Sequence, residues 1–329
     1  MTTSIGPAIY AAFVWWFSTG AVLLLVGLSA RFEMARVLVA AGLTASALYG
    51  LSVTANDISV GGAMLAFTSM ILLWGAQEIA FLAGWLTGPR PQPCPSDARG
   101  LRRLGFALAA ILYHELSLIA CGLATLVLTW NAPNQIGLWT FGSLWMLRQS
   151  SKINLFIGVP VTNDELMPQP VQFLKTYFAR KPVGAFFSIS VTLAIAVLAI
   201  MVQRIVEVAE TPFEITGLAL VATLFALGVV EHWFMLLPLP AITLWGWGMR
   251  QQNPREGTMS LDLARDEIVR EQPAASKDAR AAEPRPCARQ RLEDQFRQQF
   301  LEQHTRKELA PAGLSLGSDP AATGNGRTS

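Results

Sequence analysis

Cysteine and charge are both scarce in this chain. Among 329 residues there are only three cysteines, and charged residues make up 15%, against roughly 25% in a soluble domain. Cys94, Cys121 and Cys287 fall in a connection, an apolar run and a polar tail, so no pair is placed for a disulfide and no CxxC metal motif exists. The chain also lacks a GxxxxGK[ST] phosphate loop, a GxSxG elbow and an HExxH pair, which leaves phosphate-loop, α/β-hydrolase and zincin chemistry without their usual residues. No lysine occurs in the last apolar run, 215–247. A retinal Schiff base in that run is therefore excluded.

What is abundant is apolar sequence: 52% of residues are hydrophobic and the mean hydropathy is +0.39. A hydrocarbon core of ~30 Å calls for roughly 20 apolar residues per helix. The first 250 residues supply seven such runs, at about 9–30, 37–55, 60–86, 104–130, 136–157, 186–206 and 215–247. The expected fold is all-α, a polytopic membrane bundle of about seven helices occupying residues 1–250.

Charge in the connections orients it, because cytoplasmic loops are enriched in Lys and Arg. Arg31 and Arg36 follow the first run. Arg90, Arg99, Arg102 and Arg103 follow the third, Lys175, Arg180 and Lys181 the fifth, and Arg250 and Arg255 the seventh. The alternate connections carry Asp57, then the uncharged "NAPNQ", then Arg204 with three glutamates. The pattern predicts an outside N-terminus and a cytoplasmic C-terminus. "MTTSIGPAIYAAF" has no basic residue ahead of its apolar run, so the first run is expected to be retained as a span and not cleaved as a signal peptide. The tryptophans lie within or beside the runs and are accounted for by packing and interfacial anchoring.

Two segments outside the runs have helical patterning. Val171, Leu174, Tyr177 and Phe178 share a face beside Lys175, Arg180 and Lys181, which predicts a short cytoplasmic interfacial helix over about 168–180. Residues 251–329 are rich in Pro, Ala, Arg, Glu and Gly and are expected to be mostly disordered. Within them "CARQRLEDQFRQQFLEQHTRKEL" spaces Leu292, Phe296 and Phe300 for a possible helix over about 288–309.

Ionisable groups at membrane depth cost at least ~2–3 kcal/mol when charged and usually face the bundle interior. Here the set is Glu78, the adjacent pair His114 and Glu115, and the adjacent pair Glu231 and His232. Arg148, Lys152 and Asn154 stand toward the cytoplasmic end of the fifth run. At ~1.5 Å rise per residue, Glu78, His114 and Glu231 reach a similar level in the inner half of the bilayer. They are expected to meet across helices, with Glu231 and His232 paired to Glu78 and to His114 or Glu115. Pro238 and Pro240 are expected to kink or end the seventh helix just beyond them.

Two uses of such a set fit the sequence: hydrogen bonds that hold the bundle together, or a ligand or catalytic site. A di-iron site needs Glu-x-x-His spacing, whereas neighbours on a helix diverge by about 100°. One ion shared by three helices, or an imidazole on the magnesium of a pigment, stays geometrically open. No catalytic residue is assigned, and the identity of any metal is left unknown.

In the blocks "SSKINLFIGVPVTNDELMPQPVQFLKTYF" with "ARKP", "EHWFMLLPLP", "LWGWGM", "QEIAFLAGWLTGPRPQPCP" and "YHELSLIA", the chain resembles the photosynthetic complex assembly proteins of the PuhE type, integral membrane proteins of phototrophic purple bacteria. The resemblance spans about residues 10–250 and does not reach the tail. It implies a multi-pass protein of the bacterial cytoplasmic (inner) or intracytoplasmic membrane. The implied role is assembly of the photosynthetic reaction centre and light-harvesting complex, or modulation of bacteriochlorophyll supply. The implied partners are reaction-centre or antenna subunits, pigment-synthesis or assembly proteins and membrane lipid, with no nucleic acid. Bacteriochlorophyll or a precursor is the implied ligand, with His114 or His232 as candidate magnesium ligands. The competing expectation is a membrane enzyme acting on a pigment or lipid intermediate through Glu78, Glu115 or Glu231. A transporter is a third expectation, weakened by the lack of an inverted repeat.

Overall fold

The structure, a computed structural model, describes residues 2–164, 167–237 and 244–249. The predicted tail and its helix lie outside the described residues, as do Pro238 and Pro240. Seven long helices follow in order: α1 (Thr2–Val26), α2 (Glu33–Thr54), α3 (Val60–Leu82), α4 (Gly100–Leu128), α5 (Ile136–Ile157), α6 (Ala185–Glu207) and α7 (Pro212–Phe234). A short α8 (Gly246–Met249) and 3-10 segments at Ala30–Phe32 and Gln169–Tyr177 complete the described residues, which contain no β-strand. The protein is an all-α polytopic membrane bundle.

Six of the seven long helices are long and apolar enough to cross a membrane. The exception is α5, 22 residues long, whose second half carries Arg148, Gln149, Lys152 and Asn154. That polarity suits its place, since it packs between α3, α4 and α7. Helices α3 and α7 are the inner members, with 61% and 56% of their apolar windows buried, against 11% for α6. Phe67 and Ile71 of α3 meet Leu220 and Leu224 of α7 and Ala11 of α1 in the main core.

The last helix differs from expectation. α7 ends at Phe234 and does not run on to Trp247. Met235, its C-cap, donates its N–H to the carbonyls of His232 and Trp233, and its own carbonyl accepts from Val161. The later tryptophans instead return alongside α1. Trp16 Nε1 donates to the Leu244 carbonyl at 2.9 Å, and Trp245 Nε1 donates to the Trp16 carbonyl at 3.1 Å. The run 215–247 marks no helix end by hydropathy alone; the helix stops four residues ahead of Pro238, near where a kink or end was expected.

The connections fall into two sets. At one end Asn134, 1% exposed, ties the α4–α5 connection to the α2–α3 connection. Its Nδ2 donates to the carbonyls of Asp57 (3.0 Å) and Gly62 (3.2 Å), and its Oδ1 accepts from Ile136 N. Asn134→Ala leaves two carbonyls and one N–H without these partners. At about 1–3 kcal/mol for an unsatisfied buried group, and with some partners recoverable by water, we expect a loss of about 2 kcal/mol, read as a lower unfolding midpoint in detergent.

The other end holds the basic connections. The segment expected as an amphipathic interfacial helix is a 3-10 helix whose Val171, Leu174 and Tyr177 turn into the protein against Phe81 and Ala110. Arginines pin it there. Arg90 Nη1 donates to the Tyr177 hydroxyl and Arg103 Nη2 to the Tyr177 carbonyl, both at 2.5 Å. Burial holds the Tyr177 phenol above its usual range, although Arg90 opposes the shift. Burial likewise works against the Asp164 charge, but bonds from the Thr162 hydroxyl and from Arg180 outweigh it and hold that carboxyl below the ordinary carboxylate range.

Candidate functional site

α5 supplies the partners of Glu78, Glu115 and His232. Arg148 Nη2 donates to Glu78 Oε1 of α3 at 2.9 Å. One turn on, Lys152 forms an ion pair with Glu115 of α4, whose other oxygen accepts from Gln149 Nε2 at 2.6 Å. Ser150 Oγ lies 2.9 Å from His232 Nε2 of α7. Asn154 Nδ2 donates to the Ser150 carbonyl at 3.0 Å and to Ser190 Oγ of α6 at 3.2 Å. A helix presents side chains three and four residues apart on one face, so one turn of α5 reaches α3, α4 and α7 together.

The expected mutual pairing of the acids and imidazoles therefore does not occur. His232 is closed by its own helix, with Nδ1 2.7 Å from the Gly228 carbonyl, and by Ser150. Glu231, about 100° around α7, turns the other way, toward the Trp15 indole and the Arg148 charge. The same divergence separates Glu115, which meets α5, from His114, which stacks on Phe81 at 4.2 Å between ring centroids. The His114 ring is 1% exposed and its Nδ1 has no hydrogen-bond partner among the described residues. Opposite charges attract across a poorly screened interior more strongly than neutral groups associate. Arg148 and Lys152 were therefore the stronger signal in the sequence, although they looked secondary because they sit nearer the span end.

Between these helices lies a cavity of about 460 Å³, within the range of small-molecule sites. Glu78, His114, Arg148, Lys152 and Glu231 all line it. Arg148 keeps 42% of its side-chain surface free, against 9% for Glu78, because it faces this space. Three residues without ionisable side chains complete the site in ways the sequence did not signal. Trp15 of α1 and Trp245 beyond α7 close one wall, and Asn163, at φ 46°, bonds the Phe234 carbonyl at the end of α7. No group of three or more His, Cys, Asp or Glu side chains among the described residues is arranged to hold a metal ion.

Fold and site together define a polytopic membrane helix bundle with an ion-paired internal cavity. Residues 1–256 match the family described as "Protein of unknown function (DUF3623)", and the chain belongs to that family. It is 37% identical over 244 residues to the "Uncharacterized 30.4 kDa protein in puhA 5'region" of Rhodobacter capsulatus, a match covering 73% of this chain and 89% of that protein. No solved structure matches it.

Proposed function

We propose that the protein is an integral factor of the bacterial cytoplasmic or intracytoplasmic membrane that serves assembly of the photosynthetic reaction centre and its light-harvesting antenna. The observation carrying this reading is the relative encoded in the puhA 5' region of a purple bacterium, together with the ordered sequence blocks shared with PuhE-type proteins. The geometry agrees with a binding role. The Glu78 and Glu115 carboxylates are each tied to a cation, and α6 presents a largely unburied apolar surface to lipid or to the helices of reaction-centre, antenna or other assembly proteins.

Bacteriochlorophyll does not fit the two spanning histidines as they are packed. Both nitrogens of His232 have partners within 3 Å, and the His114 ring is enclosed against Phe81. The His232 nitrogens are occupied and His114 Nδ1, though without a partner among the described residues, is enclosed, so neither presents a nitrogen to the face of a macrocycle and we assign no magnesium ligand here. In a strain lacking the gene, we expect fewer assembled complexes in near-infrared absorption spectra while extractable bacteriochlorophyll remains. Normal complexes at normal growth would refute the role.

A second reading, an enzyme acting on a pigment or lipid intermediate, is favoured by Glu231, which lines the cavity but has no salt bridge among the described residues. Accumulation of one defined precursor in a Glu231→Gln strain would establish it.

A further inference from the structure

We propose that the internal cavity binds a neutral, membrane-soluble carbonyl compound with a planar ring, of the quinone class. The inference goes beyond the assembly role and does not depend on it.

Charge narrows the ligand first. The Glu78–Arg148 and Glu115–Lys152 pairs are each balanced, which leaves Glu231, turned toward the Trp15 indole and the Arg148 charge, as the acid on the cavity wall without a salt bridge among the described residues. An anionic ligand head within 4 Å of a second negative charge would meet repulsion on the order of 4 kcal/mol at an effective dielectric of 20. This counts against fatty acids and phosphate heads. A metal cation would lack ligands, because no three-member group of suitable side chains exists among the described residues.

Hydrogen-bonding capacity narrows it further. A guanidinium carries five N–H donors, and Arg148 is open to the cavity with one nitrogen engaged by Glu78. Unmatched N–H groups in such a site favour a ligand that satisfies them, and a carbonyl oxygen accepts from the free guanidinium nitrogens of Arg148. The remaining wall is mainly apolar and includes the indoles of Trp15, Trp74 and Trp245, surfaces on which a flat ring stacks.

Gly75 supplies the decisive variant. It lines the cavity, and an added Cβ would meet only Val22 Cγ2, at an ordinary 3.7 Å. A side chain at Gly75 therefore starts from an unobstructed position on the cavity wall, so Gly75→Leu adds bulk to the space from a site where the Cβ meets no backbone, while improving helix propensity. The full chain, purified in dodecyl maltoside, is titrated with decylubiquinone while tryptophan emission is read. Saturable quenching is expected, at least tenfold weaker in Gly75→Leu, with a thermal midpoint no lower than wild type in that variant. Non-saturating quenching in the wild type, equal affinity in Gly75→Leu, or displacement by oleate at equal or lower concentration would overturn the proposal. None of these results bears on complex assembly in cells, so the two readings fail separately.

Discussion

Arg148→Met should destabilise the protein by about 3–5 kcal/mol, the usual cost of stranding one partner of a buried ion pair. The Glu78 carboxylate is 7% exposed and Arg148 is its hydrogen-bonded cation. Lys152 also lies near Glu78, but its ammonium is already held by Glu115, so compensation is partial and the lower end of that range is expected. The double variant Glu78→Gln with Arg148→Met removes both charges and should recover to within about 1 kcal/mol of wild type, because replacing a whole buried pair is often neutral. Unfolding midpoints of wild type, the Glu78→Gln and Arg148→Met single variants and the double variant in one detergent give the coupling. A double variant as unstable as Arg148→Met alone would show that the pair is not what holds α3 to α5.

Gly88→Val carries the second large effect, expected at about 3 kcal/mol, the upper part of the usual overpacking range. The connection after α3 lies along the backbone of α4. His114 N donates to the Thr87 carbonyl at 3.1 Å, and Arg90 N donates to the Ala109 carbonyl at 3.2 Å. Gly88 sits between them, and a Cβ there would overlap the Ala109 carbonyl oxygen and come within 2.8 Å of Ala110 C and 2.9 Å of Ile111 N. These are backbone atoms of a long helix and have no rotamer by which to yield. Gly105→Ala on the same helix is the contrast, since nothing lies within 4 Å of its Cβ position. It should be neutral or raise stability by ~0.5–1 kcal/mol. If both variants melted alike, close docking of the connection on α4 would be wrong. His114 lies on the cavity wall, so Gly88→Val should also weaken ligand binding there, whereas Gly105→Ala should not.

Residue sequence alone determined that this chain crosses a membrane with long helices, because hydrocarbon satisfies no backbone hydrogen bonds and only long apolar runs can be helical there. It also marked Glu78, His114, Glu115, Glu231 and His232 as groups needing an explanation, since burial of such side chains is costly wherever they point. Only the tertiary structure decided which of them meet. Pairing depends on the rotation of each helix about its axis, and a difference of 100° between neighbours sent Glu231 into the cavity and His232 onto Ser150. It likewise decided that residues 244–249 lie along α1 and that the Met235 carbonyl is met by Val161, because those partners, Trp16 and Val161, are remote in sequence and no local pattern encodes them.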